Sequence, residues 1–179
     1  MYPHSAFIQT LKDLKERRSV RAYKAEQIKD EELEQVLEAG LWAPSGMGQQ
    51  PVVFVAVQDP ETREQLRKMN ASIMGDPDMD PFYGAPTIVV VLADTGRPTY
   101  VEDGSLAMGN LMNAAQAVGL GSCWIHRAKE EFESEEGKKL LEKWGLGENY
   151  AGVGHCALGY ADGEKPAAKE RREGRIIRV

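Results

Sequence analysis

Two segments, PVVFVAV (51–57) and TIVVVLA (87–93), are apolar almost without interruption. A strand with one wet face alternates apolar and polar side chains. A run that is apolar at nearly every position must be covered on both faces. Both segments therefore read as strands buried on both sides. Two further runs, GSCWIH and GVGHCALGYA, read as a third and a fourth strand.

Helical patterns lie between these strands. Phe7, Ile8, Leu11 and Leu14 have helical spacing, so a first helix should end near Glu16. Asp30, Glu31 and Glu32 suit the positive end of a second helix. Its apolar stripe is Leu33, Val36, Leu37 and Leu41, and Pro44 stops it. Residues 60–70 read as helix, and GDPDMDPFYGAP reads as a loop. Residues 102–118 form a helix with small or apolar residues nearly all round, so it is buried within the domain or between subunits. SEEGKKLLEKWG is an amphipathic helix with Gly145 as its stop. The tail, DGEKPAAKERREGRIIRV, is basic and has no helical period. Strands interleaved with helices imply a central sheet covered by helices. No repeat or linker divides residues 1–179, so one domain is expected.

Composition removes some functions. A formal net charge of −6 argues against a broad nucleic-acid face. No run approaches the ~20 apolar residues of a membrane span. The N-terminus lacks a signal-peptide core, and the two cysteines have no C-x-x-C spacing, so a cytoplasmic protein is expected. His4, His126 and His155 lack metal-ligand spacing.

Three segments are candidates for chemistry. RRSVRAY places Arg17, Arg18, Ser19 and Arg21 straight after the first helix. In an extended chain Arg17, Ser19 and Arg21 share a face, and arginine forks suit a phosphate. The alternative is that these cations simply meet the negative end of a helix. In APSGMGQQP, Pro44, Ser45, Gly46, Met47 and Gly48 form a small-residue loop that lets backbone approach a flat ligand, or an ordinary tight connection. It is neither a phosphate-binding P-loop nor a dinucleotide fingerprint. In GLGSCWIHRA, Trp124, Ile125, His126 and Arg127 close a strand where ligands often sit. The competing reading puts Trp124 in the core and makes Cys123 a small hydrophobe.

In order along the chain, RRSVRAY, APSGMGQQP, GAPTIVVVLAD, DGSLAMGNLMNAAQAVGLGSCWIHRA and GHCALGYADGEKPAAKERR resemble the nitroreductase family of FMN flavoproteins. The resemblance implies an α+β fold, a central mixed sheet covered by helices on both faces, and a homodimer with the flavin at the subunit interface. It implies that Arg17 and Ser19 meet the FMN phosphate or ribityl chain, that Arg18 contributes through side chain or backbone, and that Arg21 lies near the pyrimidine edge. Lys169 and Arg171 match a second basic pair that closes on the phosphate. Pro44, Ser45, Gly46, Met47 and Gly48 match a loop bordering the flavin from the partner. Gly48 stands where many relatives carry Asn. Trp124 to Arg127 match a strand end whose backbone faces the ring. Asn70 and Asp78 are candidates for a further polar contact. The implied reaction is hydride transfer from NADH or NADPH and then onward to a nitroaromatic, a quinone or a similar acceptor, in two half-reactions; the alternatives are a specialised oxidoreductase of the same fold, a ring dehydrogenase or a dehalogenase-like reductase, and a non-catalytic flavin-binding scaffold. No side chain is assigned as acid, base or nucleophile.

Overall fold

The strand β2 (Thr87–Asp94) is the axis of the computed structural model, which describes residues 4–179 and side chains from Gln9 onward. Phe7 and Ile8 of the expected first stripe lie outside the described side chains. Thr87 to Ala93 are all buried, as an uninterrupted apolar run requires. Ile88, Val90 and Leu92 face one core, and Val89, Val91 and Ala93 face another. Each fully buried aliphatic side chain contributes roughly 1.5–3 kcal/mol, so this strand anchors both layers.

The other elements are α1 (His4–Glu16), α2 (Asp30–Leu41), β1 (Val52–Val57), α3 (Pro60–Met74), α4 (Tyr100–Ala117), β3 (Gly121–Ile125), α5 (Ala128–Glu133), α6 (Glu135–Lys143) and β4 (Tyr150–Gly159). The strand order is β1-β2-β4-β3, with every neighbouring pair antiparallel. The expected mixed character is reduced to one parallel bridge, Ser19 to Ser122, beside β3. Helices do cover both faces. Leu66 and Met69 of α3, Phe132 of α5, and Leu140 and Leu141 of α6 pack on one side. Leu33 and Val36 of α2, with Met108, Leu111 and Ala115 of α4, pack on the other.

Local signals explain the helix ends. Asp59 caps α3 by accepting from Thr62 N at 2.8 Å, and Gly75 ends it with φ 84°. Gly145 takes φ 73° after α6. One expectation changes. β1 is an edge strand whose positions are mostly half-buried, because among the described residues nothing pairs beyond it. α4 buries one stripe within the domain, while Val101 and Leu106 on its other side are about half exposed in the single chain.

Candidate functional site

Residues 19–23 cross the end of the sheet where β3 begins and β4 ends. Val20 N donates to Ser122 O at 3.0 Å, and Lys24 N donates to Tyr160 O at 2.9 Å. Val20 lies so close that a Cβ on Gly121 would stand 2.9 Å from its Cγ2. The buried Tyr23 hydroxyl donates to Val20 O at 2.9 Å and lies 3.3 Å from Ala157 O. Burial pushes that phenol up, so it stays a neutral donor. The arginine segment is thus fixed to the sheet by the buried Val20 and Tyr23, while Ala22 between them is exposed.

The segment lines a cleft of about 370 Å³ through Arg17, Arg18, Val20, Arg21 and Ala22, but not through Ser19. Arg17, Arg18 and Arg21 line it together with Gln116, Gly119, Leu120, Gly121 and Ser122. Asp162 to Pro166 close the other side, and Lys165 donates to Gln116 Oε1 at 2.7 Å. The two readings of the cluster divide by residue. Arg18 meets the end of α1: its Nη1 donates to Lys15 O at 2.8 Å and Arg17 O at 2.7 Å. Its Nε is buried without a partner. Arg17 has only a long contact to Met112 Sδ, at 4.0 Å. Among the described residues neither Arg17 nor Arg21 forms an ion pair. A half-buried guanidinium without a carboxylate suits an anionic ligand.

Ser19 stands beside this cleft, at the bridge to Ser122. Lys169 and Arg171 do not line it; they lie on the exposed tail beyond Pro166. Lys165, not singled out from sequence, is the tail cation that reaches it. The thiols nearby are not nucleophiles. Burial pushes Cys123 up, against opposing pulls from Arg21, Ser19 and Arg17, and burial pushes Cys156 up to about 12.

Trp124, Ile125, His126 and Arg127 occupy the other end of β3, about 13 Å away at 3.3 Å per residue. Ile125 is buried in the core, Trp124 is half-buried, His126 is exposed, and Arg127 turns the chain with φ 76°. Asn70 is not a loop residue. It is buried in α3, and its side chain bonds to His126 O and Arg127 Nε. Asp78 is exposed in the loop that precedes β2.

The loop 43–51 lies elsewhere. Gly46 N donates to Asp103 Oδ1 at 2.8 Å, which fixes the loop to the N-terminal turn of α4. Gly46 is needed there, because a Cβ would stand 2.3 Å from Thr99 Oγ1. Gly48 is needed for its φ of 66°. Met47 and Gln50 also adopt positive φ, and Met47 is 94 % exposed. Pro44 is exposed and Ser45 accepts from Gln50 N at 3.0 Å. The arginine cleft, by contrast, adjoins Gln116 near the C-terminus of α4. From Asp103 to Gln116 the helix rises about 20 Å at 1.5 Å per residue. One chain therefore keeps the two candidate segments apart.

A family profile described as the Nitroreductase family matches residues 14–160, from the end of α1 through β4. The chain belongs to the nitroreductase family. A protein of Archaeoglobus fulgidus, named provisionally as an NADH dehydrogenase/NAD(P)H nitroreductase, is 37% identical over 160 residues and covers 87% of each chain. The crystal structure of a nitroreductase with bound FMN from Bacteroides fragilis has a TM-score of 0.87 and 32% identity. The match covers 96% of this chain and 98% of that one. An iodotyrosine deiodinase, solved with FMN and 3-iodo-L-tyrosine, has a TM-score of 0.75 and 25% identity over 94% and 97% of the two chains. The nitroreductase fold thus carries more than one reductive chemistry. No described helix is long and apolar enough to cross a membrane.

Proposed function

We propose that this nitroreductase-family chain is an FMN-dependent oxidoreductase that uses NADH or NADPH to reduce a small electron-poor acceptor. The observation that carries the reading is the arginine cleft. Among the described residues Arg17 and Arg21 form no ion pair, though Asp162 and Glu164 line the same cleft, and the buried Arg18 Nε has no acceptor. That donor set fits a phosphate dianion.

When bound, FMN supplies the redox chemistry, exchanging a hydride with NAD(P)H and with the acceptor at one face in two half-reactions. The overall balance is NAD(P)H, a proton and the acceptor giving NAD(P)⁺ and the acceptor reduced by two electrons. The chain's part is to bind and orient. Arg17, Ser19 and Lys165 hold the phosphate end, and Arg18 orders the turn that presents them. Arg21 places positive charge toward the ring. The backbone of Trp124 to Arg127 borders the ring at the far end of β3. Lys169 and Arg171 join the phosphate when the tail closes over it. Nitroaromatics and quinones are the acceptors of first choice.

The working unit is a homodimer in the cytoplasm. The loop Pro44–Gly48 borders the flavin of the partner subunit, because its own arginine cleft lies too far along α4. Leu41 (62 % exposed), Trp42 (80 %) and Met47 crowd this region, a set that a lone soluble chain rarely exposes. The test is an absorbance spectrum of the purified protein with FMN, before and after NADPH or NADH under nitrogen. Flavin bands near one per subunit that bleach establish the reading. No uptake of FMN overturns it. A screen of nitroarenes, quinones and iodoarenes then identifies the acceptor, and sedimentation reads the dimer.

A further inference from the structure

The far end of β3 is held by side chains from three other elements. Asn70 of α3 is wholly buried. Its amide nitrogen donates to His126 O at 2.8 Å and to Glu131 Oε1, and its carbonyl oxygen accepts from Arg127 Nε at 2.9 Å. Glu131 of α5 is equally buried and is joined through the same Oε1 to His155 Nε2 of β4 at 2.9 Å. His155 is wedged edge-on against Phe82, with ring centroids 5.4 Å apart.

This network explains an oddity of the turn. Arg127 sits at φ 76°, a conformation for which glycine is the usual choice. An arginine there is accounted for when its side chain is used, and Asn70 uses it. Asn70 also grips the carbonyl on the other side of the same turn. No peptide bond is cis, so the His126 carbonyl and the Arg127 N–H point in opposite directions across one planar unit. Holding that carbonyl toward α3 turns the Arg127 N–H away from α3. Among the described residues that N–H has no hydrogen-bond partner.

We propose that Asn70, backed by Glu131 and His155, is a positioning residue that orients the His126–Arg127 peptide so that its N–H faces the redox ligand. The inference rests on the FMN reading of the site. Its chemistry is the presentation of one fixed donor to an acceptor atom at the edge of a flavin ring. A packing role alone would stabilise α3 against α5 and would not require Asn70 to hold both sides of the turn.

The test uses the full chain with saturating FMN and four variants: Asn70→Ala, Arg127→Ala, the double variant, and Leu141→Ala as a core control. Stopped-flow bleaching by NAD(P)H and hydrogen exchange of the Arg127 amide are measured on each. Asn70→Ala should slow bleaching by about ten- to a hundredfold, the scale of a misplaced catalytic contact, and speed exchange at Arg127. Arg127→Ala should do likewise, and the double variant should be little worse than either alone. Leu141→Ala should lower stability and leave the bleaching rate of the folded protein unchanged. Additive losses, or unchanged bleaching and exchange in Asn70→Ala, overturn the proposal. Should Asn70→Ala fail to fold, Arg127→Ala breaks the same clasp from a half-exposed position, and unchanged bleaching and exchange there overturn it. A wild-type chain that takes up no FMN overturns the flavin reading and the ligand-facing part of this proposal. The backbone conformation at His126–Arg127 in a crystal structure of Asn70→Ala then decides whether Asn70 holds the turn.

Discussion

The two ends of β3 are built in opposite ways. At its start, Arg17 and Arg21 share a cleft with Asp162 and Glu164, yet among the described residues neither arginine forms an ion pair. At its finish, Arg127 is tied to a buried Asn70, and behind that stand Glu131 and His155. The first end holds cations in reserve for a ligand, so its groups add little to folding. The second end ties Asn70, Glu131 and His155 together and leaves Glu131 Oε2 and His155 Nδ1 buried without partners, so removing one group strands still more of the network in a dry core. The same residue type, arginine, plays both parts. Position along the strand, and not composition, sets which part.

This contrast predicts where stability and ligand affinity separate. The largest effect belongs to the buried end. Glu131→Ala removes the partner of His155 Nε2 and one of the two acceptors of the Asn70 amide nitrogen, and should lower unfolding free energy by about 3 kcal/mol, read from urea midpoints. A loss below ~1 kcal/mol would show that the network is not a unit. At the open end Arg17→Ala should raise the Kd for FMN by about ten- to a hundredfold, the worth of one charge-assisted hydrogen bond. Its urea midpoint should stay near wild type. A large stability loss with unaltered affinity would reverse the contrast. Gly121→Ala lies where the two concerns meet, since the new Cβ presses on Val20 beneath the arginine segment. Overpacking should destabilise by about 1–2 kcal/mol, seen as a lower melting temperature together with weaker FMN binding. The smallest effect is salt. Raising ionic strength from ~0.05 M to ~0.5 M shortens the screening length severalfold and should loosen FMN by a few-fold. Stability referred to the Glu131–His155 end should barely change, because buried pairs are poorly screened. Titrations at the two ionic strengths check both halves.

Much of the fold was legible in the sequence, because it rests on local periodicity. The run 87–93 gave a strand covered on both faces, and β2 is that strand. Leu33 and Val36 marked the buried face of α2, and Pro44 followed its end. β1 misled because an edge strand and a central strand carry similar apolar runs; only pairing distinguishes them. The short helix α5 was hidden in the charged run after HRA, where the polar Glu131 is buried beside Ala128 and Phe132.

The candidate site was half legible. Arg17, Ser19 and Arg21 announced themselves by spacing and density. Lys165 did not stand out from the other cations of the tail, and Lys169 and Arg171 remain exposed while Lys165 lines the cleft. Asn70 was a candidate for a polar contact only through the family resemblance, and nothing in the sequence joined it to Glu131 and His155. They are 61 and 24 positions apart along the chain, and each alone is an ordinary polar residue.

By itself the sequence determined the strand runs, the helices other than α5, the arginine cluster and the family, since each is written in neighbouring residues or in an ordered series of motifs. Only the tertiary structure decided which cations stay unpaired and which are clasped. A guanidinium's role depends on what the fold brings within hydrogen-bond reach, and α3, α5 and β4 meet at Arg127 while no carboxylate reaches Arg17 or Arg21.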